Sequence, residues 1–469
     1  MSKKRFVLGW QADSESLPLL EETKAKRINS VMNSPHGMWN YMTYRDAIRI
    51  LKLDPTEIYK DGRIDLDPDE WADFGWMLCH AGPPESAVEE MKRQTIGSNI
   101  NPYSPDLINS LRDYCAEYKF KCERNNNFEV IGTEGGQASI SYVLHTFLND
   151  GDEVIITDPG YFHFESAILM AGGIPVKIRI HSGNRFKLDP HEVEKYITKK
   201  TKIIIVCDPV NPFGTVQSKE ELLSLIEIAK RNNIIIINDI THNAHRIDPE
   251  SEQFPMSSLW GDTNVDNVVS VYSVSHGYGM AAVRIGFLAG HSDIMRACLI
   301  AKVSMTRLNT NLIAQYGALA ALKDTDYIDN TEKLIRGNYK FIKQVINNTD
   351  GISIPVEPSY GFSMVMDVRE TGITAQELTI ALFKRKIAVY PGDGLGDEGA
   401  LNYIRLNISR SDRWAFDKFK NSLTEAVEEA RSGIYREEII NFFDQRQNER
   451  ARWILQELNN IGPHSQAAS

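Results

Sequence analysis

Two runs of isoleucine constrain the fold more than any other feature of this chain. Thr201-Lys-Ile-Ile-Ile-Val-Cys207 and Ile234-Ile-Ile-Ile-Asn-Asp239 are apolar at consecutive positions rather than at alternate ones. A strand without alternation is buried on both faces, the condition of a parallel sheet covered by helices on either side. From residue 128 onward such strands alternate with helical stretches, as in repeated βαβ units. The expectation is an α/β protein with a mainly parallel sheet in a large domain. A smaller α+β domain follows, with strands near 361–367 and 403–408 flanking a helix near 375–386.

The ends of these strands carry residues suited to a small anionic ligand. Asp239 closes a buried strand and needs a partner, because an unpaired buried charge is costly. Phe128–Ile131 leads into Gly132-Thr-Glu-Gly-Gly-Gln137, which opens a helix reaching about Leu148. A glycine-rich turn at a helix N-terminus offers unpaired N–H groups and the positive end of the helix dipole, a natural seat for phosphate. In Ser-Val-Tyr-Ser-Val-Ser-His-Gly-Tyr-Gly-Met-Ala-Ala-Val-Arg-Ile-Gly, residues 270–286, the groups Ser273, Ser275 and Arg284 can converge on one phosphate. Glycines at 277, 279 and 286 allow close backbone approach.

That last segment resembles the cofactor-lysine segment of the fold type I pyridoxal-phosphate (PLP) aminotransferases of class I/II, which read Ser-x-Ser-Lys-x-x-Gly-x-x-x-x-Arg-x-Gly. The resemblance covers roughly residues 76–430 and implies the three-layer aminotransferase-like fold, with PLP or pyridoxamine phosphate as cofactor. On it, Gly135, Gly136 and Gln137 correspond to the phosphate-binding turn, together with Ser273, Ser275 and Arg284. Tyr161 corresponds to the aromatic that stacks on the pyridine ring, and Asn211, in Asn-Pro-Phe-Gly, to the donor for the cofactor's phenolic oxygen. Asp239 corresponds to the partner of the pyridine nitrogen, and Arg405 to the arginine that holds a substrate α-carboxylate. Gly82, in the Gly-Pro-Pro turn, corresponds to a glycine near that carboxylate. Tyr103 matches the tyrosine sent across a dimer interface to the neighbouring subunit's phosphate, which implies a homodimer with shared sites.

Three positions depart from the family pattern. Leu107 stands where glycine is usual, His242 where tyrosine is usual, and His276 in place of the Schiff-base lysine. Imidazole has no primary amine and cannot form the covalent tether. It can move a proton: its ordinary pKa of about 6.5 suits neutral pH, whereas a lysine near ~10.4 needs a shift of roughly three units, ~4 kcal/mol, to match. Three readings follow. His276 is a lysine-to-histidine substitution in an ordinary PLP enzyme. Or the protein works without lysine, holding PLP or pyridoxamine phosphate non-covalently with His276 as base, for elimination, dehydration or cyclisation. Or the chain is a non-catalytic or metal-binding protein using His163, His242, His245 and His276.

The chain has 469 residues and a formal net charge of −11, which argues against nucleic acid or an anionic membrane as partner. Its five cysteines have no metal-ligand spacing and read as reduced thiols of a cytoplasmic protein. No apolar run reaches membrane-span length, and the N-terminus does not read as a signal peptide. The division expected is a segment 1–75 that packs on the small domain or a dimer interface, with an aromatic cluster at Trp39–Tyr41. A cofactor-binding domain at 76–315, a small domain at 316–433, and a tail at 434–469 with one helix around 435–459 complete it. Arg405 points to an amino acid or keto acid as substrate, and transamination is the reaction expected.

Overall fold

The computed structural model describes residues 25–34, 42–54, 58–60, 63–124, 127–261, 265–396, 399, 401–445 and 449–460. The Trp39–Tyr41 cluster, the first ten residues and the final stub from 461 lie outside them.

Both isoleucine runs are strands in the middle of a seven-stranded sheet. In chain order its strands are β1 (Phe128–Thr133), β2 (Glu153–Asp158), β3 (Ile174–Arg179), β4 (Thr201–Cys207), β5 (Ile235–Asp239), β6 (Val268–Ser273) and β7 (Gly286–His291). Their spatial order is β1-β7-β6-β5-β4-β2-β3. All pairings are parallel except those of β7, which runs antiparallel to β1 and β6. Consecutive isoleucines serve two cores at once. Ile203, Ile205 and Ile237 pack with Val143, Leu144 and Ile168 on one face. Ile204 and Ile236 pack with Leu222, Leu225 and Ile226 on the other. Helix–sheet–helix layering is thus written into those runs.

The smaller sheet joins Ser363–Asp367, Tyr403–Asn407 and Tyr390–Pro391 in antiparallel pairings, with the helix Ala375–Lys384 between the first two in sequence. Its apolar core is not made by residues 316–433 alone. Tyr44, Ile48, Trp71 and Phe74 from the N-terminal segment and Ile439, Phe443 and Ile454 from the tail enter the same cluster. Ala72–Asp73 also pairs in parallel with Ile387–Ala388. The N-terminal segment is therefore built into the small-domain core.

The helix after Tyr103 spans Asn109–Tyr114; just before it the Ile108 amide binds Gln315 Oε1 and the Leu107 carbonyl accepts from the Arg112 side chain. The single tail helix expected around 435–459 is instead two, Arg436–Asp444 and Glu449–Asn460. Among the described residues no helix is long and apolar enough to cross a membrane.

Gly286 couples sheet and turn. A Cβ there would meet the Gly135 backbone at 2.6 Å and Thr133 Oγ1 at 2.8 Å, and neither is the end of a flexible side chain. Gly286→Ala should lower the unfolding free energy by about 1–3 kcal/mol, the range for overpacking. Urea denaturation measures it, and an unchanged midpoint would show that the turn yields freely.

Candidate active site

The parallel strands end together, and their C-terminal turns converge. β4 delivers Asn211 four residues past Cys207, β5 ends on Asp239, and β6 ends on Ser273 before the short helical turn Val274–Gly277. Register aligns these ends: Cys207 is opposite Asp239, which is opposite Val271. From β1 the chain turns through Gly135, with φ +98°, into the helix Gly136–Phe147. A side chain at Gly135 would collide with the Arg284 guanidinium at 2.2 Å. Arg284, itself left-handed at φ 58°, donates to the carbonyls of Ala281 and Glu134 at 2.9 Å each.

A polar cavity of about 170 Å³ opens among these turns. Gly136, Gln137, Ser273, Ser275 and Arg284 border it, as do Asp239, Asn211, His242, Tyr161 and His276. Gln137 Oε1 and Ser275 Oγ are buried with no hydrogen-bond partner. An unmet buried polar atom costs roughly 1–3 kcal/mol, so the cavity is arranged for a polar ligand. Thr241 also borders it and was not anticipated, although its position two residues after Asp239 is the available signal; its N–H binds Asp239 Oδ1 at 3.0 Å. Burial raises the Asp239 carboxyl above the ordinary carboxylate range, and Thr241 opposes the shift.

A second cavity, about 330 Å³ and largely apolar, adjoins the first. Tyr161, Asn211 and His276 border both. Arg405 lies in the second, its Nη2 donating to the Gly75 carbonyl at 3.3 Å and its guanidinium 4.3 Å from the Tyr390 ring centre. Much of the remaining wall comes from residues that sequence reasoning missed: Met42, Tyr44 and Arg45, then Trp76, Phe162 and Tyr390. No local motif marks them, since several belong to segments joined only through the small-domain core.

Three expected residues border neither cavity: Gly135, which packs against the Arg284 guanidinium, Gly82 and Tyr103. Gly82 sits behind Gly279, whose added Cβ would meet the Gly82 carbonyl carbon at 2.6 Å, and its carbonyl accepts from Tyr327 at 2.7 Å. Gly75 is the glycine whose carbonyl meets Arg405. Tyr103 points outward, 80% exposed, with the Arg307 guanidinium 5.9 Å from its ring centre.

The histidines divide in the same way. The His276 and His242 rings stack at 4.6 Å, only 14° from parallel. His276 Nδ1 lies 2.9 Å from the Met77 carbonyl, which can only accept. The proton is therefore on Nδ1, and Nε2 keeps its lone pair. His245 is bound to the Gly277 carbonyl, and His163 packs on Phe162. Among the described residues no group of three His, Cys, Asp or Glu side chains is placed to hold a metal.

Comparison with known proteins agrees with this geometry. A profile of the family described as "Aminotransferase class I and II" matches residues 77–413. An aspartate aminotransferase of Pyrococcus abyssi is 27% identical over 343 residues, 72% of this chain and 86% of the relative. A histidinol-phosphate aminotransferase of Caldicellulosiruptor saccharolyticus is 28% identical over 335 residues, 66% of this chain and 88% of the relative. In structure, a double mutant of Thermus thermophilus aspartate aminotransferase superposes with a TM-score of 0.71 at 22% identity, covering 87% of this chain and 99% of that one.

Burial pushes the His276 and His245 imidazoles down to about 4, and holds His242 well below its ordinary value with help from His276 and Arg405. In the unfolded chain each takes up a proton near ~6.5. Stability from these groups is thus complete above that pH and is lost as pH falls toward about 4. Urea unfolding at pH values from about 7 to about 4.5 should show this loss, and His245→Gln should flatten it. An unchanged slope in that variant would mean His245 does not titrate in this window.

Proposed function

Because the chain belongs to the class I and II aminotransferase family, whose members are PLP-dependent transferases, we propose that it acts on an amino acid or keto acid with a free α-carboxylate, using His276 as base. The observation that carries the reading is the position of His276, which borders both the polar cavity and the apolar one. A group there can serve a cofactor in the first and a substrate in the second.

The residues of the polar cavity fit the cofactor everywhere except at its covalent tether. The Gly135–Gly136 turn, Gln137, Ser273, Ser275 and Arg284 would hold the phosphate, with the Ser275 hydroxyl gaining the partner it lacks by donating to it. Asp239 would face the ring nitrogen, where a bound proton would offset the cost of burying its carboxylate. Tyr161 would stack on the ring, and Asn211 with His242 would meet its phenolic oxygen. When bound, the ring supplies an electron sink for charge developing at the substrate Cα. Arg405 would anchor the α-carboxylate through a two-pronged hydrogen bond, and His276 Nε2 would take the Cα proton. The unprotonated state that this needs is the one favoured by burial. In this division residues 76–315 would hold the cofactor, while Met42, Tyr44 and Arg45 of the N-terminal segment and Tyr390 and Arg405 of the small domain would help to close the substrate end. Exposure of Tyr103 supports a homodimer in which it completes the neighbouring site.

One observation favours a naturally lysine-independent protein over a single substitution. The two departures from the family pattern within the site, His242 and His276, are stacked on one another. Replacing lysine alone would not supply a matching second ring. Transamination remains the reaction proposed.

The test is PLP binding together with exchange of the Cα hydrogen in heavy water. Wild type should bind PLP reversibly, releasing it on denaturation even after borohydride treatment, whereas His276→Lys should retain it. Asp239→Ala should weaken binding about tenfold or more, the scale of one charge-assisted hydrogen bond. Exchange by wild type with a panel of amino acids supports His276 as base. Exchange only by the His276→Lys form would show that wild type is a disabled lysine enzyme.

A further inference from the structure

We propose that the apolar cavity receives a substrate whose side chain carries a second anionic group beyond an apolar spacer, and that Arg45 is the residue that binds it. The inference rests on the reading above, in which Arg405 takes the α-carboxylate.

The cavity is lined by Met42, Trp76, Phe162, Val389, Tyr390 and Pro391 among others, a wall that favours hydrocarbon or an aromatic ring. Two guanidiniums interrupt it, Arg45 and Arg405, and among the described residues no Asp or Glu borders the cavity. An apolar space with two positive groups and no negative one is complementary to a dianion. The two arginines differ in their surroundings. Arg405 is buried on its strand, stacked on Tyr390 and directed at the Gly75 carbonyl. Arg45 makes no side-chain hydrogen bond or ion pair among the described residues, and its Nε is buried without a partner.

Neighbouring acids are engaged elsewhere. Asp46 accepts from the Thr43 amide and hydroxyl in the cap of the helix Tyr44–Leu51, and Asp73 accepts from Tyr44 and the Gly75 amide. Helix and cavity wall thus hold Arg45 at the site while leaving its charge for a ligand. A planar fork of donors suits a carboxylate or a phosphate equally. Arg45 also precedes the family match, which begins at residue 77, so this contact belongs to the chain's own N-terminal segment.

Calorimetric titration of the full chain, saturated with PLP, tests the assignment with three unreactive probes of one skeleton. These are hydrocinnamate, para-carboxyhydrocinnamate and para-phosphonohydrocinnamate. At least one dianionic probe should bind about tenfold or more tighter than hydrocinnamate, and the tighter of the two identifies the anion. Arg45→Met should abolish that advantage while hydrocinnamate binding stays within about twofold; Arg45→Lys should keep part of it. Arg405→Met should weaken all three probes. Equal affinities in wild type, or an advantage that survives Arg45→Met, overturn the role of Arg45 and leave the α-carboxylate reading intact if Arg405→Met still weakens every probe. Undiminished binding in Arg405→Met overturns that reading and this proposal together.

Discussion

The register between β5 and its two neighbours is the constraint on which the site depends. Cys207, Asp239 and Val271 are set side by side by parallel pairing, so the turns that follow β4, β5 and β6 leave the sheet at one level. Asn211, Asp239 and Thr241, and the serines of β6 and its following turn, reach one cavity for that reason. The register is held by isoleucines facing cores on both sides, and slipping one residue would exchange the occupants of those cores. Burial that stabilises the sheet also sets the electrostatics at its edge. The same loss of water that raises the Asp239 carboxyl pushes His276 and His242 down.

Exchange of a primary amine for imidazole changes what this site demands of its other residues. On the function proposed, the cofactor's retention would fall to the phosphate turn, the Asp239 contact and ring stacking, each of which is non-covalent. In return, a buried histidine is already unprotonated at neutral pH, which a lysine achieves only with a large shift. The Met77 carbonyl contributes by holding the Nδ1 proton, so the lone pair resides on Nε2. Met77 belongs to the stretch that also supplies Gly75 and Trp76 to the apolar cavity, so movement of that stretch would shift His276 and the cavity wall together.

Legibility varied with the range of the determining contacts. Strands, the glycine turn, the Ser273–Arg284 segment and Asp239 are local patterns, and consecutive apolar residues or a glycine before a helix express them directly. Gly82 was misplaced because a Gly-Pro-Pro turn specifies its own conformation but not which side of it faces a ligand; packing against Gly279 and Tyr327 decides that. The helix Asn109–Tyr114 starts where a distant side chain, Gln315, binds the Ile108 amide.

Periodicity and turn chemistry within single segments specify the layered α/β architecture and the turns that wall the polar cavity. Tertiary structure alone decided the apolar one. Met42, Tyr44 and Arg45 meet Trp76, Phe162, Tyr390 and Arg405 only because the N-terminal segment shares a core with the small sheet and the tail helices. Side chains separated by hundreds of residues acquire a common purpose through burial in one core, and no spacing along the chain records which of them will meet.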